Sequence, residues 1–123
     1  MSISLDNGDR ISLWDILDNG KEQAFATVLH PNGRHELVDI EPLAKDATNI
    51  WTSEATDHRY PTRWSVSIPA LKARIEVEPR MREQEVVSLI EAHKYEGANT
   101  VFGEVLGKSV TGHAVVELVG NWK

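Results

Sequence analysis

Cysteine is absent from the 123 residues. That excludes a disulfide framework, a thiolate zinc site, an iron–sulfur cluster and a cysteine nucleophile. Long apolar runs are absent too, since no window approaches the roughly 18 residues that a membrane-crossing helix needs. Residues 1–6 have neither a basic start nor an apolar stretch, so no secretory leader is read there and a soluble chain is expected. Positive charge is scarce: 13 Lys+Arg against 19 Asp+Glu leaves a net charge of −6 with the five histidines neutral. Nucleic-acid affinity is mostly neutralisation of phosphates by Lys and Arg, and no basic stripe is present, so a nucleic-acid partner is not expected. No two histidines stand at a metal-ligand spacing with a carboxylate, and no Gly-x-Ser-x-Gly elbow occurs, so neither a metal, a cofactor nor a serine hydrolase is expected. A mass of 13.8 kDa fits one domain over residues 1–123, exposing roughly 6,600 Å² when folded.

What the chain has in quantity is hairpin chemistry. Asn7-Gly8, Asn19-Gly20 and Asn32-Gly33 fall within 27 residues, and both residue types tolerate the positive φ of tight turns. Between them, residues 10–17, 23–29 and 35–40 are short and rich in strand formers. Residues 62–68 place Trp64, Val66 and Ile68 on one face, and Leu71, Ala73, Ile75 and Val77 alternate with Lys72, Arg74, Glu76 and Glu78 up to Pro79. Period two of this kind marks half-buried strands. Residues 99–105 and 109–119 flank Leu106-Gly107-Lys108 as a further hairpin, and residues 52–61 read as a long polar loop. Residues 81–93 carry Val86, Leu89, Ile90 and His93 at helical spacing, which permits one short helix. Eight to ten hairpin-connected strands imply a β-barrel or sandwich, and a barrel of that size holds one small ligand at most. The last strand is apolar or small on both faces, with Val115 and Val119 on the second one, so something is expected to cover it.

Several short motifs in order carry a resemblance. They are Trp51-Thr52-Ser53, Tyr60-Pro61-Thr62-Arg63-Trp64, Ile68-Pro69-Ala70-Leu71, Glu76-Val77-Glu78-Pro79, Gln84-Glu85, Tyr95-Glu96-Gly97 and Glu117-Leu118-Val119-Gly120. Together with an entry hairpin at residues 4–14, they make the chain resemble, from about Ser2 to Trp122, the lipocalin-like domain of the AttH and carotenoid 1,2-hydratase family. The chain resembles the C-terminal domain of a family that usually carries two, so a homodimer or a second lipocalin-like domain is the implied partner. It departs from the family at Lys94-Tyr95, where a Tyr-Trp pair is usual, and at His113-Ala114-Val115, where an aromatic follows Gly-x-Gly. The resemblance implies an all-β, lipocalin-like antiparallel barrel that binds a hydrophobic, polyunsaturated small molecule. It serves either an alkene hydratase or an intramolecular cycloaddition cyclase, or else a non-catalytic binding or dimerisation module.

Hydrating an alkene requires a general acid in a dry pocket. Glu96, Glu117 and Glu85 are the carboxylates nearest to apolar strands, with Glu96 and Glu117 the expected catalytic pair; the same residues would equally serve to anchor barrel ends through hydrogen bonds. His113 and Glu117 share a strand face but, four residues apart, lie roughly 13 Å from each other and form no dyad. His30, His35 and His58 read as surface residues. Trp14, Trp51 and Trp64, with Tyr60, Tyr95, Phe102 and His113, are the expected ligand-binding set, although core packing accounts equally for any single tryptophan.

Overall fold

The computed structural model describes residues 1–90 and 92–120. The C-terminal end of the resemblance, at Trp122, lies outside them, as does Glu91 within the helix-prone segment. Ten strands form: β1 (Ser2–Leu5), β2 (Arg10–Asp18), β3 (Lys21–Leu29), β4 (His35–Asp39), β5 (Thr48–Thr52), β6 (Arg59–Ile68), β7 (Ala73–Pro79), β8 (Glu85–Val86), β9 (Lys94–Val105) and β10 (Lys108–Val119). They make one antiparallel sheet in the order β4-β3-β2-β1-β10-β9-β7-β6-β5, with β8 added beside β9.

The turns follow from the residues. Asp18 pairs with Lys21 across Asn19 and Gly20, whose φ values of 50° and 77° are both positive. That is the type I′ geometry whose twist matches the flanking strands. Leu106 and Gly107 repeat it at the β9–β10 turn, with φ of 50° and 76°. The strand expected from Leu71 begins at Ala73 instead. Pro69 starts a 3-10 turn over Pro69–Leu71, which Lys72 closes in the left-handed conformation with its N–H donating to the Pro69 carbonyl.

Inward-facing residues form a single core. It contains Ile11, Leu13, Ala26, Val28 and Val38 from one end of the sheet order and Trp64, Val66, Ile68, Ile75 and Val77 from near the other. One sheet can bury a common face in this way only by curling over itself. Two contacts reach across that curl: the Glu41 N–H donates to the Ser67 carbonyl at 3.1 Å, and a 3-10 turn at Leu43–Asp46, with Leu43 buried, packs against β6. The fold is therefore all-β and lipocalin-like, as expected.

Among the described residues no α-helix occurs, which corrects the helical reading of residues 81–93. Leu89 and Ile90 are almost fully exposed, so the helical spacing has no apolar neighbour to pack against. The segment is held by strand pairing instead, Glu85 opposite Tyr95 and Val86 opposite Lys94. The polar loop shrinks to residues 53–58, because β5 and β6 pair on either side of it, Trp51 opposite Tyr60.

Candidate functional site

At one end of the curled sheet, β5, β6, β8 and β9 bring an acidic group and a set of aromatic rings together. Tyr60 points inward from β6 and is fully buried; Tyr95 points inward from β9 at 1% exposure. The local sequence explains the pose of Tyr95. A Cβ at Gly97 would lie 2.3 Å from Tyr95 Cε1, so the ring folds over the glycine two residues on, which is possible only without a side chain there. Gln84 holds the far end of that ring, its Nε2 donating to Tyr95 Oη at 3.1 Å while its Oε1 accepts the Ala98 N–H at 2.7 Å. Trp51 stacks on Tyr60 at 6.1 Å between ring centroids, and Tyr60 meets Tyr95 at 5.5 Å.

Glu85 enters this cage with its side chain only 3% exposed. Three hydroxyls donate to its carboxylate: Thr56 Oγ1 at 2.7 Å, Tyr60 Oη at 2.7 Å, and Ser53 Oγ in a short contact with Oε2. His58 Nδ1 stands 3.7 Å from Glu85 Oε1 and 3.3 Å from Tyr60 Oη. Burial pushes the Glu85 carboxyl up, but the three hydroxyl donors and His58 outweigh it and hold the group below the ordinary carboxylate range. Burial, then the adjacent carboxylate, pushes the Tyr60 phenol upward, so it stays a donor. His58, with its side chain 35% exposed, connects the cluster to solvent. His93 sits beside it at 5.5 Å between rings, its Nδ1 accepting the Ser88 N–H at 3.2 Å. Chemically, this is a sealed carboxylate base in an aromatic cage, with an imidazole between it and water.

Glu96 and Glu117 are not in that cage. Both lie on the outer face, where Lys94 Nζ approaches Glu96 at 2.8 Å and Glu117 at 3.4 Å. The parity of the strands puts them there: Tyr95 and Gly97 face inward around Glu96, and Val116 and Leu118 around Glu117. The dry surroundings expected for them are found at Glu85. Phe102 and His113 are also on the outer face, away from the cage. Trp51, Tyr60 and Tyr95 come together, whereas Trp14 and Trp64 line a different cavity of about 650 Å³ between β2 and β10. Trp64 is buried at its floor and Trp14 is exposed at its rim. His58 is part of the cage rather than a plain surface residue. His30 is not a surface residue either: its Nδ1 meets Asp9 at 2.8 Å and its Nε2 meets Glu36 at 2.9 Å, with the side chain 14% exposed. His35 is exposed, as expected.

Sequence reasoning alone does not find the roles of Ser53, Thr56, His58, Gln84 and His93, yet a signal for two of them, Ser53 and Gln84, exists. Trp51-Thr52-Ser53, Tyr60, Gln84-Glu85 and Tyr95-Glu96-Gly97 are the motifs that carry the family resemblance, and the fold converges all of them on this one cage. No group of His, Asp or Glu among the described residues has the geometry to hold a metal ion, and no described helix is long and apolar enough to cross a membrane.

The AttH-like family model matches residues 1–121. The dehydratase asqC of Emericella nidulans is 32% identical over 97 residues, covering 77% of this chain and 28% of that protein. Among solved structures, kievitone hydratase from Nectria haematococca superimposes with a TM-score of 0.83 at 25% identity, covering 96% of this chain and 38% of that one. An AttH protein from Nitrosomonas europaea matches with a TM-score of 0.77 at 23% identity, covering 98% of this chain and 38% of that one, a likeness of fold. The chain thus spans between about a quarter and two-fifths of the length of these relatives.

Proposed function

The chain belongs to the AttH-like family, and from that membership together with the sealed Glu85 carboxylate we propose that it is a lipocalin-like domain that binds an apolar, unsaturated small molecule and supplies the acid–base group for hydration or dehydration of it. In the elimination direction, Glu85 takes a C–H proton as the C–O bond breaks, and a proton carried through His58 leaves with the hydroxyl as water; hydration is the reverse. Trp51, Tyr60 and Tyr95 pack on one another beside the carboxylate, of which the half-buried Trp51 is the ring a conjugated ligand would stack on, and burial keeps the carboxylate away from bulk water. The names of the relatives, a hydratase and a dehydratase, favour this chemistry over the cyclase alternative.

One observation favours a second reading, a non-catalytic binding module: three hydroxyls already satisfy Glu85, and they tie the loop of residues 53–58 to β8. Kievitone, as first probe, separates the two. In the catalytic reading, Glu85→Gln lowers turnover by about 10²-fold or more while binding, followed by tryptophan fluorescence, stays nearly unchanged. Binding without turnover in the unmodified chain supports the module, and absence of binding to kievitone or to a simple conjugated polyene refutes both. Val115 and Val119, exposed on the outer face of β10, support a companion domain or second copy lying against that face. Light scattering then gives a mass near twice 13.8 kDa for the isolated chain, and Val115→Asp restores the monomer.

A further inference from the structure

Asn7-Gly8, Asn19-Gly20 and Asn32-Gly33 are the same dipeptide in three hairpin turns, and the fold treats them differently. An asparagine followed by glycine is open to intramolecular attack on its side-chain amide, because glycine has no Cβ to shield its nitrogen and the attack closes a five-membered ring. The glycine N–H must be free of a hydrogen bond that fixes its proton and orientation. The asparagine side chain must also be free to turn its Cγ over that nitrogen.

At Asn7 and Asn32 both groups are tied. The Gly8 N–H donates to the Leu5 carbonyl at 3.1 Å, while Asn7 Oδ1 accepts the Asp9 N–H and Asn7 Nδ2 donates to Asp9 Oδ2, each at 2.9 Å. The Gly33 N–H donates to the His30 carbonyl at 2.9 Å, and Asn32 Oδ1 accepts the Arg34 N–H at 2.9 Å. The two turns also hold each other. Gly8 lies so close to Pro31 that a Cβ would stand 2.4 Å from Pro31 Cγ, and His30 bonds to Asp9 on one side and Glu36 on the other. Opening either turn therefore breaks side-chain bonds and packing together with backbone bonds.

At Asn19 neither group is tied. Neither the Gly20 N–H nor the Asn19 side chain has a hydrogen-bond partner among the described residues. Residues 16–23 are all exposed, nothing lies within 4 Å of a Cβ placed on Gly20, and the tip is held by the end of a ladder, the Asp18–Lys21 pair. Such an end frays at little cost. Exposure alone does not separate the three sites, since Asn7, Asn19 and Asn32 are all exposed; hydrogen bonding does.

We propose that Asn19 is a site of spontaneous covalent modification, converting to aspartate and isoaspartate while the fold preserves Asn7 and Asn32. The Gly20 nitrogen gives its proton to hydroxide and bonds to Asn19 Cγ, the C–N bond of the side-chain amide breaks, and ammonia leaves. Water then opens the cyclic imide at either carbonyl. The product carries one more negative charge. Its isoaspartyl form also lengthens the backbone of a two-residue turn whose φ values of 50° and 77° fit type I′, so the Asp18–Lys21 pair is lost. This goes beyond the proposed chemistry and needs neither Glu85 nor His58.

The test incubates the full chain in mildly alkaline buffer, digests it and follows the three Asn-Gly peptides by mass spectrometry, with isoaspartate read by enzymatic carboxyl methylation. The expected result is conversion at Asn19 about tenfold or more faster than at Asn7 or Asn32, and comparable rates at all three once urea has unfolded the chain and removed the bonds that distinguish them. Gly20→Ala places a methyl beside the attacking nitrogen in open space, and it suppresses conversion at Asn19. Equal rates in the folded chain overturn the proposal, as does faster loss of Asn7 or Asn32. So does a folded chain that keeps Asn19 while the unfolded chain loses it, undiminished conversion in Gly20→Ala, or the same order of rates in urea, which would place the difference in neighbouring residues and not in the fold.

Discussion

Gly112→Ala is the sharpest probe of how this sheet holds together. A Cβ at Gly112 would stand 2.0 Å from the Ser4 carbonyl oxygen and 3.1 Å from Leu5 Cα, both of them backbone atoms that no rotamer change can move. An ordinary carbon–oxygen contact is about 3.3 Å, so the strands must separate by roughly 1.3 Å at this point. The pair concerned is Leu5 with Gly112, in the four-residue strand that, among the described residues, is the only ladder link between β4-β3-β2 and β10-β9-β7-β6-β5. Overpacking costs about 1–3 kcal/mol, and losing one or two ladder bonds near Asp6 and Thr111 adds about 1 kcal/mol each, for a total of about 3 kcal/mol. For a domain of this size that lowers Tm by about 10 °C. Gly20→Ala is the control: its φ is 77° and nothing lies within 4 Å of the added Cβ, so only the backbone strain of about 1 kcal/mol applies. Calorimetry that found Gly112→Ala no less stable than Gly20→Ala would refute the reasoning, since the clash would then be relieved without breaking β1 from β10.

Two further outcomes follow from the hydrogen-bond networks. His30 places both ring nitrogens on carboxylate oxygens, which a neutral imidazole with one N–H cannot satisfy, and the bond to Glu36, then that to Asp9, raises its pKa above the ordinary 6.5. The stability it contributes is complete below the unfolded value and fades as pH rises through the folded one; His30→Gln should remove that part of a pH–Tm profile, and an NMR midpoint at or below 6.5 would contradict it. Tyr60→Phe deletes one donor to Glu85 and should cost about 1.5–3 kcal/mol in urea unfolding. Because Glu85 is held low in the folded state, its contribution is present above the unfolded value and lost as pH falls through the folded one, so the variant should unfold in acid at a higher pH than the parent.

Period two and turn chemistry are local properties, which is why they are legible in the chain itself. The alternation of Trp64, Val66 and Ile68, the Asn19-Gly20 turn and the Leu106-Gly107 turn each arise from residues adjacent in the chain, and β2, β3, β4, β6 and β10 appear over the residues whose pattern predicts them, whereas β7 starts two residues later and β9 five residues earlier than their patterns predict. The same parity already assigns Glu96 and Glu117 to the outer face, because Tyr95, Gly97, Val116 and Leu118 take the inner one. Weighing carboxylates by their nearness to apolar residues alone obscures that. Glu85 has no such pattern to read, since β8 is two residues long and its direction is set by pairing with Tyr95 and by hydroxyls 25 to 32 positions away. The split of the tryptophans between the Glu85 cage and the cavity lined by Trp14 and Trp64 has the same origin. Strand type is written in short-range order, whereas the partner of an edge and the neighbour of a buried charge depend on how the sheet curls, which joins residues that the sequence keeps far apart.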